Sequence, residues 1–200
     1  MMAVVLRVAA IALVAAVPAV PAAAQFSDSY NFLKAVRDKD VFKAKGFLDK
    51  PGSVIVNTKD RDTGETSLHI VTKRRDTPWM GFLLQNGADP NARDAEGNTA
   101  IILAATSGFS DGVRLMIAGK AQVDAANNRG ETALIKSVLV RDAASARMLL
   151  DTGADPDRSD NQTGQSARDY AARDTRAGQL AKMLADAPKK GAKKMTGPSL

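Results

Sequence analysis

Apolar residues recur at helical spacing in short segments, and a threonine precedes each segment. Threonine favours a helix N-terminus because its side-chain oxygen accepts hydrogen bonds from the free N–H groups of the first turn. The apolar face that follows is narrow and rich in small residues, which lets neighbouring helices pack closely. Short helices are therefore predicted at three equivalent places, with these caps and first apolar residues: Thr66 and Leu68, Thr99 and Ile101, Thr132 and Leu134.

A second helix is predicted after each of these short helices. In the first copy it starts at Thr77, which can cap it, and Pro78 takes the first helical position, where an N–H would be unpaired anyway. Its interior face carries Trp79, Phe82 and Leu83. The pattern therefore predicts an all-α chain of helix pairs joined by polar turns.

Two landmarks return along the chain with one period. The glycines that open three copies are 33 residues apart: Gly64, Gly97 and Gly130. The sequence Gly-Ala-Asp-Pro-Asn at 87–91 has counterparts at 120–124 and 153–157, again 33 apart. Gly87 and Gly153 follow helix ends, where glycine best tolerates left-handed backbone. Two independent landmarks with one period indicate a repeat architecture in which each helix pair packs on the next.

The outermost copies are less regular than the central ones. A fourth copy opens at Gly164 after a spacing of 34, with Asp160 as the extra residue. Arg168 and Asp169 replace the apolar or histidine residues of the earlier copies. Upstream, residues 32–57 form a looser copy. Terminal repeats are expected to differ because one of their faces meets water.

These motifs resemble the ankyrin repeat, whose signature opens with Gly-x-Thr-Pro-Leu-His and closes with Leu-Leu-x-x-Gly-Ala-Asp-x-Asn. Residues 83–91 and 149–157 match the closing motif almost throughout, and the resemblance covers residues 32–187. It implies a solenoid of stacked helix-turn-helix units with short polar hairpin turns. It also implies a protein that binds other proteins and is not an enzyme.

The chain departs from this signature in ways expected to loosen helix starts and turns without changing the fold. Proline is absent from the Thr-Pro positions, which hold Ser67, Ala100, Ala133 and Ala167. The glycine usual between the two helices survives only as Gly108, and Arg75 and Arg141 replace it.

The repeats and the flanking composition divide the chain into a leader, a capping repeat, four full repeats and a tail. A single repeat cannot bury its own apolar face, so stability is expected to come from stacking. The expected bounds are 1–24 for a secretory signal peptide, 25–60 for the N-terminal capping repeat, 61–93, 94–126, 127–160 and 161–187 for four ankyrin-like repeats, and 188–200 for a disordered basic tail.

The first residues have the order of a secretory leader. Arg7 is the only charge before Asp28, an apolar run covers residues 8–17, and alanines at 22–24 offer a cleavage site. A membrane anchor is the alternative, but the run is too short to cross a bilayer and two prolines interrupt its end. We therefore expect a periplasmic or secreted monomer, with no transmembrane segment in the mature chain.

The net charge is concentrated in the tail. The whole chain has a formal net charge of +6, and four lysines near its end supply most of that excess: Lys189, Lys190, Lys193 and Lys194. The rest of the mature chain is therefore close to neutral, and is interpreted as lacking both a basic stripe and the aromatic platform that nucleic-acid binding uses. No specific nucleic acid is expected as a partner.

No set of residues points to catalysis, a cofactor or a metal. His69 is the only histidine and cysteine is absent, so a zinc site or a nucleophile–base pair lacks members. The resemblance implies that His69 bonds backbone between repeats. Asp89, Asp155 and Asp157 fall in turns, where such side chains bond local N–H groups. Residues 155–164 lack the ligand spacing of a calcium loop.

The resemblance also implies that a partner meets the turn tips and the exposed edge of the inner helices, which form a concave face. Leu139 and Val140 stand out there, because apolar residues at an exposed edge favour a contact centre; packing under the stem of Arg173 would explain them equally well. The candidate contacts are Asp62, Thr63, Glu65, Lys73, Arg74, Arg93, Glu96, Asn98, Thr106, Ser107, Asn128, Arg129, Glu131, Leu139, Val140, Gln162, Thr163, Gln165 and Arg173.

These observations predict a non-enzymatic, exported protein–protein interaction module. A rigid, preformed face would limit the entropic cost of ordering on association. One alternative is an inhibitor or immunity-type protein that blocks a specific enzyme. Another is a binder of polyanions or membrane surfaces that acts through the lysine tail and whose binding depends strongly on salt.

Overall fold

The computed structural model describes residues 22–188, and side chains from residue 28 onward. Residues 1–21 of the expected leader and 189–200 of the expected tail lie outside the described residues. The described part contains ten α-helices, a 3-10 helix at Ile55–Asn57 and no β-strand beyond isolated bridges. The helices are α1 Ala22–Arg37, α2 Val41–Leu48, α3 Ser67–Lys73, α4 Thr77–Gln85, α5 Ala100–Thr106, α6 Ser110–Ala118, α7 Ala133–Leu139, α8 Ala143–Asp151, α9 Ala167–Arg173 and α10 Gly178–Asp186.

The helices form two layers. The inner layer is the row α1, α3, α5, α7 and α9, each packed on the next, and the outer layer is the row α4, α6, α8 and α10. Each inner helix also packs on the outer helix that follows it, whereas α2 packs mainly on α1 and the 3-10 helix. The predicted all-α solenoid of stacked helix pairs is therefore confirmed.

Inner helices begin where the sequence places them. Thr66, Thr99 and Thr132 are the N-cap residues of α3, α5 and α7, as predicted. In the last repeat, Ser166 and Asp169 form a reciprocal capping box: the Ser166 N–H donates to Asp169 at 2.9 Å, and the Asp169 N–H donates to Ser166 Oγ at 3.2 Å. Asp169, which looked like a degenerate position, therefore stabilises the start of α9.

The prediction that Thr77 caps the second helix is wrong. Asp76 is the cap, and its Oδ1 accepts from the Trp79 N–H at 3.3 Å, so Thr77 and Pro78 are the first two helical residues. The equivalent residues Asp40 and Asp142 also accept from N–H groups of the first turn. An aspartate has the advantage over threonine because its negative charge also interacts favourably with the helix dipole.

Leu83 and Trp79 are buried, as expected of the inner side of α4, but Phe82 is only half-buried. Met80, which the pattern did not single out, is fully buried instead. Trp79 and Met80 lie four and three residues before Leu83, so all three fall on one face of α4, and this face is the buried one.

Arginine replaces glycine in two of the turns between inner and outer helices, and this replacement was expected to loosen them. Arg75 and Arg141 adopt the left-handed conformation, with φ of 57° and 58°, as Gly108 does at 60°. They do not loosen the turns. Arg75 Nη2 donates to the Gly108 carbonyl at 2.9 Å, and Arg141 Nε donates to Asp174 at 2.6 Å. Each arginine side chain therefore forms a hydrogen bond to the next repeat, and glycine has no side chain to do so.

Asp160 is not the extra residue of the fourth copy. Its N–H bonds the Gln165 carbonyl, just as the Asn127 N–H bonds the carbonyl of Glu131, so Asp160 and Asn127 are equivalent. The additional residue lies in the turn, because Asp160 is four residues before Gly164 whereas Asn127 is three residues before its glycine. The first repeat, from Asp60 to Gly64, has the same longer turn.

Candidate partner-binding surface

Backbone hydrogen bonds join successive turn tips into a row. The Ala95 N–H donates to the Thr63 carbonyl at 3.0 Å, that of Asn128 to Glu96 at 3.0 Å, and that of Asn161 to Arg129 at 2.8 Å. Some tip side chains also bond the protein: Asn128 Nδ2 donates to the Ala95 carbonyl at 3.1 Å, and Thr163 Oγ1 donates to Asp160 at 2.9 Å. The exposed candidates on this row are Asp62, Thr63, Glu96, Asn128, Arg129, Gln162 and Thr163.

A second set of bonds fixes the repeats where each outer helix ends. Asn57, Asn91 and Asp124 occupy equivalent positions, and each accepts, at 2.7 Å, a backbone N–H of the following repeat. The candidate Arg93 belongs to this framework, since its guanidinium donates to the Ala126 carbonyl. The spacing of the turn tips is thus set from both sides, which makes the surface preformed.

Two of the candidates, Glu65 and Glu131, are buried between the tips and the inner helices. Glu131 accepts from Lys136 at 2.7 Å, Asn127 at 2.9 Å and Arg129 at 3.0 Å. Burial raises its pKa, but the hydrogen bonds from Asn127 and Lys136 outweigh burial, so the pKa lies below its ordinary value. Glu65 forms an ion pair with Lys73. These carboxylates orient neighbouring cations and offer little surface to a partner.

His69 makes the bond between repeats that the resemblance implied. Its Nδ1 accepts from the Thr66 N–H at 3.2 Å, so the ring proton is on Nε2, which donates to the Asn98 carbonyl at 3.0 Å. Burial lowers the pKa of His69 and keeps the ring neutral. The half-buried candidate Asn98 is tied down as well, because its N–H and side-chain amide both donate to Asp94.

Two of the three turn aspartates bond the local backbone, as predicted, whereas the carboxylate of Asp157 binds Arg168 at 2.7 Å instead. Asp89 accepts from the Asn91 N–H at 2.8 Å, and Asp155 accepts from the Asp157 N–H at 3.0 Å. Asp160 accepts from backbone N–H groups of its own turn and from the Tyr170 hydroxyl at 2.6 Å. Burial raises the pKa of Asp160, but these hydrogen bonds prevail and bring it to about 2.

The carboxylates do not form a metal site in the part of the chain that the structure describes. No three His, Asp or Glu residues converge there in a way that could hold an ion. Asp60 shows the same pattern as Asp160: a hydrogen bond from Arg37 and backbone N–H groups of its turn lower its pKa to about 2. Both carboxylates stay ionised near neutral pH, whereas a general acid needs a raised pKa. We therefore interpret them as structural groups that stabilise the turns.

Sequence reasoning missed a half-buried row between the turn tips and the helix ends. Its four members occupy one register position and are partly accessible: Ile70, Leu103, Lys136 and Tyr170. The repeat period would have revealed the row, but its members share no residue type. The half-buried candidate Gln165 is not part of this row and occupies the repeat position of Glu131, nearer the turn tips.

The remaining candidates lie at the ends of the inner helices. Leu139 and Val140 are 45% and 44% exposed, at positions that hold Thr106 and Ser107 in the preceding repeat. Each of these two apolar side chains therefore keeps more than two fifths of its surface accessible. Lys73, Thr106, Ser107 and Arg173 are exposed as well. Arg74 is half-buried instead and donates to the Val36 carbonyl at 2.8 Å, which ties α3 to α1.

The structure also contains a cleft that the sequence did not suggest. It has a volume of about 590 Å³ and lies between α1 and the first turn, lined by Tyr30, Leu33 and the ion pair of Arg37 with Asp60, among others. The strong ion pair, 2.6 Å long, and the low pKa of Asp60 suit a structural contact between α1 and the first repeat. The cleft therefore gives no indication of catalysis.

Comparison with known proteins places the chain in a family. A family model described as "Ankyrin repeats (3 copies)" matches residues 23–127 and 68–160, which together span more than half of the chain. Three relatives match over short stretches: the ankyrin repeat and KH domain-containing protein mask-1 of Caenorhabditis elegans, 38% identical over 83 residues; the human 2-5A-dependent ribonuclease, 34% identical over 85 residues; and the oxysterol-binding protein homolog 1 of Saccharomyces cerevisiae, 35% identical over 75 residues.

These alignments cover 40%, 42% and 36% of this chain but only 3%, 11% and 6% of the relatives. The likeness is therefore to their repeats, and the activities in their names belong to those proteins. No helix in the described part of the chain is long and apolar enough to cross a membrane. The family match, the two-layer stack and the 33-residue period agree, and the chain belongs to the ankyrin-repeat family.

Proposed function

We propose that this chain is an exported, monomeric binding protein that holds a folded protein partner on its turn tips and on the exposed ends of its inner helices, without catalysing a reaction. Ankyrin repeats generally act as protein–protein interaction modules and are generally non-enzymatic.

The row of joined turn tips is the observation that carries the proposal. Three backbone hydrogen bonds between turns hold Thr63, Glu96 and Arg129 at fixed spacing before any partner arrives. A surface that is already ordered loses little conformational entropy on binding, so more of the contact energy appears as affinity. The side chains on the tips vary from repeat to repeat, which suits recognition of one irregular protein surface.

Export is supported by the order of charge, apolar run and small residues at the N-terminus. Cell fractionation followed by N-terminal sequencing of the mature protein tests it. A chain that starts at Gln25 in the periplasm or the medium is expected. A chain recovered from the cytoplasm with Met1 intact would contradict the export while leaving the binding function standing.

The binding function is tested by cross-linking tagged residues 25–200 in an extract of the exported fraction and identifying the captured proteins by mass spectrometry. The variant with Leu139→Glu and Val140→Glu should lose its partner while its far-UV dichroism is retained. The control with Thr152→Glu changes an exposed residue at the far end of α8 and should keep the partner. Equal capture by all three proteins would contradict the proposed surface.

Two further measurements separate the alternatives. Truncation after Ala187 removes the lysine tail, and a partner retained after truncation excludes a mechanism that depends on the tail. An inhibitor or immunity-type protein would reduce the catalytic rate of its captured partner in proportion to occupancy, whereas a scaffold would leave that rate unchanged.

A further inference from the structure

The two sides of the array carry opposite charge. We define the turn side as the five segments that run from the last residue of each inner helix into the helix that follows it: 37–45, 73–81, 106–114, 139–147 and 173–181. These segments contain twelve Lys or Arg and six Asp residues, a net charge of +6. The rest of residues 28–188 contains eleven Lys or Arg and sixteen Asp or Glu residues, a net charge of −5.

The total charge of the folded body is close to zero because these two opposite excesses compensate for each other. Contacts along the turn side join neighbouring segments: Lys39 lies 3.6 Å from Asp76, Arg75 donates to Gly108 at 2.9 Å, and Arg141 to Asp174 at 2.6 Å, while α6 of the third segment packs on α8 of the fourth. The third segment contains only Asp111 and Arg114 as charged residues and is neutral, so the excess of cations lies in the first two and the last two segments.

Most carboxylates on this side are already engaged. Asp40, Asp76 and Asp142 cap the outer helices, and Asp174 accepts from Arg141. In contrast, Lys45, Arg147 and Arg173 are exposed and form no ion pair within the described residues. The turn side thus presents cations that an incoming anionic group can reach, with few free carboxylates to oppose it.

Exposed apolar residues lie on the same side. Val41, Phe42, Leu139 and Val140 all belong to the turn side, and Phe42 is 91% exposed. Leu139 and Val140 are less than half exposed, so they form a shallow patch that the side chain of a partner can cover. Insertion into lipid instead requires large apolar side chains that project freely, and Phe42 is the one strongly exposed example on the described turn side.

We propose that the turn side binds an acidic segment of the partner protein, with one apolar side chain of that segment on Leu139 and Val140 and carboxylates near Arg147 and Arg173. The proposal rests on the binding function above and names the chemistry of the partner. Opposite charge steers association and disfavours basic partners, while the apolar contact slows dissociation. The turn tips then provide secondary contacts.

Selection from a displayed library of short random peptides on immobilised residues 25–200 tests this proposal. The enriched peptides should combine several Asp or Glu residues with Leu, Ile or Phe. A synthetic consensus peptide, measured by fluorescence anisotropy, should bind about tenfold or more weakly to the variant with Arg147→Glu and Arg173→Glu, and also to Leu139→Glu. The matched control, Arg158→Glu with Lys182→Glu, changes the net charge equally away from the turn side and should bind normally.

The outcomes distinguish this proposal from the binding function on which it rests. Enriched peptides without an acidic excess, or equal weakening by both charge-reversed pairs, would overturn the assignment of the turn side. Loss of peptide binding only in the variant with Glu96→Ala and Arg129→Ala would place the binding site at the turn tips. This result would leave the proposed function standing. A library without any saturable binder would count against both. Co-sedimentation with phosphatidylglycerol vesicles that is abolished by Arg147→Glu and Arg173→Glu, together with no acidic peptides, would assign this side to lipid instead.

Discussion

The guanidinium of Arg168 binds the carboxylate of Asp157, with Nε 2.7 Å from Oδ1. Its terminal nitrogens donate to the last carbonyls of α10, those of Leu184, Ala185 and Ala187. Arg168 occupies the position of Leu134 in the repeat before it. Among the described residues no further repeat packs on this one, and the arginine satisfies carbonyls at the end of α10 that would otherwise lack partners.

Replacing Arg168 by the leucine of the other repeats should therefore destabilise the chain. We expect Arg168→Leu to lower the free energy of unfolding by about 1–3 kcal/mol, because several carbonyls and Asp157 lose a charged donor. Urea denaturation followed by far-UV dichroism measures the loss. Arg173→Leu, at an exposed position of the same helix, should change stability by less than about 0.5 kcal/mol. A more stable Arg168→Leu protein would show that consensus packing matters more than capping.

Stacking can be tested at the centre of the array. Leu134 is fully buried in α7, and Leu134→Asp places a charge there without a partner, so we expect loss of cooperative unfolding and most helical dichroism. Leu139→Asp, at the exposed end of the same helix, is the control and should stay folded. An unchanged unfolding midpoint for Leu134→Asp would contradict the stacking model.

Deleting a whole repeat should have a milder effect than that single substitution. Removal of residues 95–127 joins Asp94 to Asn128 and preserves the turn, because Asp94 and Asn127 both bond a carbonyl beyond their turn glycine. We expect a shorter array that unfolds cooperatively at a lower midpoint, since stability sums over neighbouring interfaces. Analytical ultracentrifugation and dichroism would reveal it, and an unfolded product would mean that repeat identity matters beyond nearest neighbours.

The elements were predictable because their signals are local. Thr66 is the N-cap of α3 and forms a capping box with His69, three residues later. Gly87 and Gly153 follow helix ends with φ of 82° and 95°, as expected. The N-cap of α4 was misassigned by one residue. Both Asp76 and Thr77 have side chains that can cap a helix, and the sequence does not show which of the two has the non-helical backbone of a cap residue. Local patterns therefore predict that a helix exists better than where it starts.

Contacts between repeats were much harder to predict. Arg75 and Arg141 looked like losses of glycine, because a sequence does not show that their guanidinium groups reach the next turn. Glu65 and Glu131 looked like exposed tip residues, although both are buried and pair with Lys73 and Lys136 of their own inner helices. The charged turn side was hidden for the same reason, since residues far apart in sequence share one side only after stacking.

The stability of the array should depend on pH through His69. Burial lowers the pKa of its ring in the folded state, so the unfolded chain takes up a proton first as the pH falls below the ordinary value near 6.5. Stability is therefore expected to decrease as the pH falls below about 6.5, above the range in which Asp60 and Asp160, with pKa values of about 2, contribute.

His69→Gln is the matched variant for this pH dependence, because glutamine keeps a donor but does not titrate. We expect it to have a slightly lower melting temperature at pH 7.5, a flatter dependence on pH and unchanged binding of the partner. Parallel pH profiles of the two proteins would rule out His69 as the source, and a lost partner with intact dichroism would overturn its structural role.

Arg75 combines a strained backbone with two contacts across the repeat boundary, and the two effects can be separated. It donates to Gly108 at 2.9 Å, and its guanidinium lies 5.2 Å from the centre of the Phe109 ring. Arg75→Ala keeps the left-handed strain and loses both contacts, so it should destabilise by about 1–2 kcal/mol. Arg75→Gly loses the same contacts but relieves about 1 kcal/mol of strain, so it should lie between alanine and the natural protein. A free energy of unfolding in urea that is lower for Arg75→Gly than for Arg75→Ala would contradict the backbone strain. If both variants were as stable as the natural protein, the contacts of Arg75 with the next repeat would contribute nothing to stability.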